Sequence, residues 1–281
     1  MFECVINISE GRDVDVLDEL CDAAGSSLRD VHSCEFHHRS VFTLINDDYA
    51  LVRDVHSLID AAYERLDLTT HEGVHPRFGV VDVVPFVALE RGEGDRAVVL
   101  RDELAHWLAT TYEVPVFLYG PLTDHTTRTL PEVRKAAFSS LVPDVGPARA
   151  SSRRGSVAVG ARDILVAWNL WLHDVTLDQA RMIAKEIRQP ALRTLAFAAG
   201  DAVQVSCNIV DVEMVLPSQV YDRVRTLLPE GGQISRSELV GLVPAALLER
   251  ENPARWVELG LSRDATIEER FINWHGEVIK E

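Results

Sequence analysis

The spacing of apolar residues predicts short strands alternating with amphipathic helices in the first half of the chain. Residues 13–24 and 49–63 carry apolar side chains at intervals of three and four, which is the period of a helix buried on one face. The intervening segments predict strands at 2–8, 28–33, 39–46 and 80–86. The resulting order, β-α-β-β-α-β, is that of the ferredoxin-like motif.

The same order returns in the second half. A helix at about 95–111, a strand at 115–119 and a helix at about 130–140 extend the first copy. A loop rich in Pro, Gly and Ser at 143–156 is the expected seam between the halves. The repeat then predicts strands and helices in the order 164–172, 177–187, 192–198, 203–212, 218–228 and 237–243. The fold class is therefore α+β, with two ferredoxin-like subdomains. Each sheet has one face without helices, so we expect the two sheets to pack against each other.

Composition narrows the classes of protein. The 281 residues are 47% hydrophobic with a formal net charge of −16, which disfavours binding to nucleic acid or to an anionic membrane. No apolar run is long enough to span a membrane, and the N-terminus lacks the pattern of a signal peptide. The four cysteines form no C-x-x-C pair, so we expect reduced thiols and a cytoplasmic location.

Histidine, arginine and carboxylate side chains are concentrated between residues 30 and 82. The group is Asp30, His32, His37, His38, Arg39, His71, Glu72, His75, Arg77 and Asp82. Pro76 disfavours a helical conformation at His75, which argues against reading 71–75 as a helical H-E-x-x-H zinc site, and we expect no metal. A solvated turn at 37–39 and a merely hydrogen-bonded His75 are the alternative interpretations.

Two further features suggest binding chemistry. Arg149, Arg153 and Arg154, followed by Arg162, concentrate positive charge in an acidic chain, either as solvated charge or as an anion clamp on a loop. In the strand at 164–172, a period of two places Trp168 and Leu170 on one face and Asn169 and Trp171 on the other. A buried Asn needs hydrogen-bond partners, so Asn169 and Asn208 are candidate site residues.

At this point five motifs, in order, resemble those of the glutamate formiminotransferase family. They are Glu3–Gly11, His75–Phe86, Gly160–Asn169, Gln204–Asn208 and Ser237–Pro244. The resemblance implies two ferredoxin-like subdomains, 1–164 and 165–281, without the cyclodeaminase domain that is fused to some relatives. It implies transfer of a formimino group from N-formimino-L-glutamate to tetrahydrofolate, a step of histidine breakdown, with tetrahydrofolate as co-substrate.

The resemblance also assigns roles to residues. It places the catalytic histidine at His75 and a folate-contacting loop at 146–155, which includes Gly146, Pro147, Arg149, Arg153 and Gly155. Chemically, one histidine of near-neutral pKa can take a proton from the attacking amine and return it to the leaving amine.

Other charged groups complete this hypothesis. Asp82 or Asp30 is a candidate to orient His75, and Arg39, Arg77 and Arg162 are candidates to bind substrate carboxylates. We expect a homodimer whose ligands are small molecules.

Several departures from the family pattern lie on the folate side. His38 stands where relatives carry Asn, His32 where some carry Asp, Ile6 where Pro is usual, and the segment at 190–192 is short. They leave open a transferase with a different acceptor, or a folate- or amino-acid-binding homologue without turnover.

Overall fold

The computed structural model describes residues 1–73, 77–273 and 279–280. Within them the chain forms helices α1 to α8, in order Val14–Ala23, Asp48–Arg65, Gly94–Tyr112, Leu130–Ala136, Leu177–Ile187, Pro217–Leu227, Ala245–Arg250 and Ile267–Asn273. Strands β1 to β12 span Phe2–Ile8, Leu28–Cys34, Arg39–Asn46, Val81–Ala88, Val116–Pro121, Thr127–Arg128, Val157–Ala161, Val166–His173, Leu192–Ala199, Ala202–Ile209, Gln233–Val240 and Ile279–Lys280. The predicted α+β class is confirmed.

The chain divides into two compact units, Met1–Asp163 joined by the C-terminal β12, and Ile164–His275. The first contains a sheet of order β12-β2-β3-β1-β4-β7-β5-β6 and the second a sheet of order β11-β8-β10-β9. Strands β1 to β4 with α1 and α2, and strands β8 to β11 with α5 and α6, each follow the β-α-β-β-α-β order. The first four strands of each unit also have the same spatial order. The packing of one sheet on the other stays a prediction.

The loop at 143–156, interpreted from sequence as the seam between the halves, lies inside the first unit. After it the chain forms β7, which pairs in parallel with both β4 and β5 and so continues the first sheet. The five residues Val-Ala-Val-Gly-Ala of β7 were not predicted as a strand, and this was the reason for the misplaced seam. The predicted strand at 237–243 begins earlier, at Gln233, because it pairs with β8 from His173 onward.

Helix starts follow local capping chemistry. The Asp13 side chain accepts hydrogen bonds from the backbone of Asp15 and Val16, and α1 begins at the next residue. Thr176 and Gln179 form a capping box at the start of α5, and Thr129 and Glu132 form one at α4. These caps fix where each helix begins.

Each unit has its own apolar core. In the first unit α2 packs on β1 and β3, α3 packs on β4 and β7, and α4 contacts β5 and β7. In the second unit Trp168, Leu170 and Leu172 of β8 lie fully buried in a core shared with α5 and α6. This leaves Asn169 and Trp171 on the opposite face of that sheet, as the period of two predicts.

Candidate functional site

His75, the predicted catalytic residue, lies outside the described residues. The segments on both sides of it are described, and they lie near a polar cluster at one end of the first sheet. We call Glu10, His38, His71, Arg77 and the Glu72 carbonyl the imidazole cluster. It brings together the end of β1, the turn between β2 and β3 and the loop before β4.

Glu10 fixes the backbone that follows β1. One carboxylate oxygen, Oε1, accepts hydrogen bonds from the backbone N–H groups of Gly11, Arg12 and Asp13 at 2.8, 2.7 and 3.0 Å. The same oxygen lies 3.1 Å from Nε2 of His38. Burial favours the neutral acid, but these N–H groups and the charge of His38 outweigh it, so the pKa of Glu10 lies below its ordinary value.

His38 occupies a left-handed turn, with φ of 48°. Asn and His are among the side chains enriched in this region, so the backbone accommodates His38 where the related motif carries Asn. Its Nε2 faces the Glu10 carboxylate, and its Nδ1 lies 2.7 Å from the carbonyl oxygen of Glu72. Both partners only accept, so the imidazolium form is the one that satisfies both contacts.

His71 stacks on His38 with ring centroids 4.0 Å apart. Its Nε2 lies 3.0 Å from the His38 carbonyl oxygen, and its Nδ1 contacts the guanidinium of Arg77. Burial, with Arg77 and His38 adding positive charge, lowers the pKa of His71 to about 4. At neutral pH, therefore, His71 is neutral, with Nε2 as donor and Nδ1 as acceptor.

Asp82 lies on β4 and is 1% exposed. One carboxylate oxygen accepts the backbone N–H of Phe78 at 2.6 Å, and the other accepts Nη2 of Arg134 at 2.6 Å. The Arg134 guanidinium also lies over the Phe78 ring, 5.0 Å from its centroid. Burial lowers the pKa of Arg39, and the charge of Asp82 opposes that shift. Asp82 thus holds Phe78 and Arg134 together beside Arg39.

A thiol and an imidazole meet in the turn between β2 and β3. Sγ of Cys34 lies 3.0 Å from Nδ1 of His37, and both side chains are buried. The sequence alone gave no reason to expect a base beside Cys34. A cysteine nucleophile requires a base at this distance. The proposed proton transfer by His75 does not use the pair.

The arginines of the 146–155 loop differ in their surroundings. Arg149 is exposed, and Arg153 is 54% exposed with its Nε 3.7 Å from Asp67. Arg154 instead lies between the rings of Tyr63 and Tyr112, at 5.6 and 5.1 Å from their centroids. Arg149 and Arg153 are therefore the two that are open to an anion in solution.

Glycines give this loop its shape. Gly146 and Gly155 have φ of 89° and 76°, and Pro147 is exposed between them. A Cβ on Gly155 would collide with the backbone of Phe78 and Gly79, so the loop runs against the segment that precedes β4. A change at Gly155 would move both segments.

The remaining candidates of the first unit lie along the sheet. His32 is buried on β2. Arg162 follows β7, is partly buried and is close enough to the buried Glu3 to act on its charge. Burial raises the pKa of Glu3 to about 7, and Arg162 partly opposes this rise.

The sheet of the second unit has a buried polar group on the face opposite the helices. The Glu238 carboxylate oxygen Oε2 accepts from Asn169 Nδ2 at 3.0 Å, from Trp171 Nε1 at 2.8 Å and from Gln204 Nε2 at 3.1 Å. Asn208 is partly buried on β10, opposite Ala167 of β8.

The sequence argument missed Glu10, Arg134, Gln204 and Glu238 as site residues. Glu10, Gln204 and Glu238 lie inside motifs that were recognised, and position in these motifs was the available signal. Arg134 adjoins Lys135 in a predicted helix, a pattern typical of solvated charge, whereas in the structure it pairs with the buried Asp82.

Two observations concern metal ions and membranes. Among the described residues, no three His, Cys, Asp or Glu side chains are arranged to hold a metal ion. In the same part of the chain, no helix is long and apolar enough to cross a membrane. The imidazole cluster, together with guanidinium groups, is suited to proton transfer and to binding of carboxylates.

These features define an α+β protein with a polar cluster suited to proton transfer, and comparison with known proteins gives the family. The model of the formiminotransferase domain, N-terminal subdomain, matches residues 1–162. The glutamate formimidoyltransferase of Streptococcus pyogenes serotype M1 is 32% identical over 268 residues, which are 88% of this chain and 90% of that protein. That of Thermoplasma acidophilum is 32% identical over 272 residues, covering 88% and 89%.

A larger relative matches over part of its length. The formimidoyltransferase-cyclodeaminase of Rattus norvegicus is 32% identical over 276 residues, which are 88% of this chain and 51% of that protein. The chain belongs to the formiminotransferase family, and it is a transferase of one-carbon groups.

Proposed function

We propose that this enzyme transfers the formimino group of N-formimino-L-glutamate to N5 of tetrahydrofolate. The observation that carries the proposal is the family match over residues that include the His75–Phe86 motif. The imidazole cluster and the Asp82–Arg134 pair, on either side of His75 in sequence, support it.

The chemistry needs one proton transfer in each direction. N5 of the reduced pterin attacks the amidinium carbon and gives up its proton to His75. The bond from that carbon to the glutamate nitrogen then breaks, and His75 returns the proton to the departing amine. Such a group contributes roughly 10²–10⁴-fold to rate. Holding both substrates in line supplies a further large share.

Charge complementarity supports the same assignment. Both proposed substrates carry carboxylates, and Arg39, Arg77 and Arg162 lie in the unit that contains the imidazole cluster. Arg149 and Arg153 extend this positive charge on a surface loop and are the proposed folate contacts. His32 and Gly146, Pro147 and Gly155 complete the proposed folate-binding residues of the first unit. Asn169 and Asn208 are the proposed substrate-binding residues of the second unit.

A different acceptor amine is the second candidate. The short connection between α5 and β9 favours it, because this segment is one of the departures on the folate side. Here it is only a two-residue turn between Gln189 and Leu192. This second candidate keeps His75 and the donor unchanged and alters only the nucleophile.

Replacing the proposed catalytic histidine tests the proposal. His75→Ala should lower kcat by at least about 100-fold, because the proposed proton acceptor for the attacking amine would be removed. His106→Ala, a change at an exposed histidine of α3, is the matched control and should keep full activity. A His75→Ala protein with near-native turnover would remove His75 from the mechanism.

A further inference from the structure

A buried carboxylate organises the polar face of the second sheet. Glu238 lies on β11, next to β8, and β10 lies on the other side of β8. Its Oε2 accepts hydrogen bonds from two side chains of β8, Asn169 and Trp171, and from Gln204 of β10. All four side chains are less than a tenth exposed.

This arrangement fixes how the two amides are oriented. An ionised carboxylate only accepts hydrogen bonds, so the NH₂ groups of Asn169 and Gln204 must both face Glu238. Their carbonyl oxygens are then left to face other groups. Within residues 1–73, 77–273 and 279–280, neither oxygen receives a hydrogen bond from the protein, and neither is a fully enclosed atom, so both stay open to a ligand or to water.

We propose that Glu238 is a positioning residue that presents the amide oxygens of Asn169 and Gln204 to the cationic amidinium end of the donor substrate. The inference rests on the proposed function and deepens it by naming the groups that accept hydrogen bonds from the formimino nitrogen. Two oriented acceptors beside a negative charge suit a planar cation that carries several N–H donors. They do not suit a neutral formyl group, whose oxygen would face other oxygens.

The neighbouring charge on the same face agrees with such a ligand. Arg236, two residues earlier on β11, lies over the Trp171 ring with its guanidinium 4.3 Å from the centroid. A carboxylate and a guanidinium thus stand at successive positions along one strand face, as the opposite charges of an amidinium amino acid require.

The test compares two donors that differ in one atom type. Calorimetry would give the Kd of the full chain for N-formimino-L-glutamate and for N-formyl-L-glutamate. The native protein should prefer the formimino compound, and Glu238→Gln should reduce that preference by about tenfold or more, because Gln can turn either its oxygen or its NH₂ toward each amide. Glu249→Gln, the same change at an exposed residue, should leave the preference intact.

A second variant covers the case in which Glu238→Gln does not fold. Gln204→Met removes one amide and leaves the hydrogen bonds from Asn169 and Trp171 to Glu238, so it should lower the preference by a smaller factor. An unchanged preference in the folded variants would overturn the inference. In that case, turnover of the native protein with tetrahydrofolate would still support the proposed function. If instead the preference depends on Glu238 but no turnover with tetrahydrofolate occurs, the inference is retained and tetrahydrofolate is rejected as the acceptor.

Discussion

The Asp82–Arg134 pair gives the sharpest stability prediction. In Asp82→Asn the new amide oxygen can still accept the Phe78 N–H, but the charge that faces Arg134 is lost. Breaking a fully buried ion pair costs about 3–5 kcal/mol. Arg134 is 24% exposed and can be partly rehydrated, so we reduce this to about 2–3 kcal/mol. The loss of a counter-charge for the partly buried Arg39 acts in the same direction.

Urea unfolding of the full chain measures this effect. With a denaturant slope of about 2 kcal/mol/M, the midpoint of the first unit's transition should fall by about 1–1.5 M. Glu19→Gln breaks an exposed pair of the same unit, with Arg65, in which both side chains are about half exposed, and should change stability by less than about 0.5 kcal/mol. Equal midpoints for Asp82→Asn and Glu19→Gln would refute the reasoning.

Three other changes test separate parts of the account. Replacing Arg149 and Arg153 by Gln should raise KM for the folate with little change in kcat, and the rise in KM should be smaller at high salt. An unchanged KM at low ionic strength would mean that the two arginines are ordinary surface charge. The pKa of Glu3 is raised to about 7, so between about pH 4.5 and 7 the folded state binds a proton that the unfolded state has lost, and stability should fall as pH rises through this range. Glu3→Gln should flatten this dependence of stability on pH. Parallel stability profiles of the variant and the native protein would contradict the reasoning. His38→Asn should keep the left-handed turn but lose about 1 kcal/mol with the charged hydrogen bonds, and His38→Ala should unfold at still lower urea; the reverse order would contradict the assigned contacts.

Local signals in the sequence were sufficient for many elements. Helix α5 was predicted at Leu177–Ile187 and has those bounds, because a capping box, an amphipathic period and the following Pro190 all agree. The alternation Trp168-Asn169-Leu170-Trp171 predicted which side chains enter the helix-covered core. Where local chemistry and period agree, neighbouring residues alone determine the element.

Contacts between distant residues were not predictable in this way. The expected burial of Asn169 predicted a hydrogen-bond partner without identifying it. That partner, Glu238, is 69 positions away and is placed beside Asn169 by the register of β11 on β8. Arg134 and Asp82 meet across 52 positions for the same kind of reason. A strand as short as β7 gave no usable period, and its parallel pairing to β4 and β5 is decided by the whole sheet.

Initial rates over a grid of N-formimino-L-glutamate and tetrahydrofolate concentrations test the central claim most directly. Direct transfer with both substrates bound predicts intersecting double-reciprocal lines, and Cys34→Ser should remain active. The Cys34–His37 contact of 3.0 Å makes the alternative concrete. Parallel lines, together with an inactive Cys34→Ser, would mean that the formimino group passes through a covalent thiol carrier and would contradict direct transfer. A folded protein without turnover at any tetrahydrofolate concentration would contradict the proposed acceptor itself.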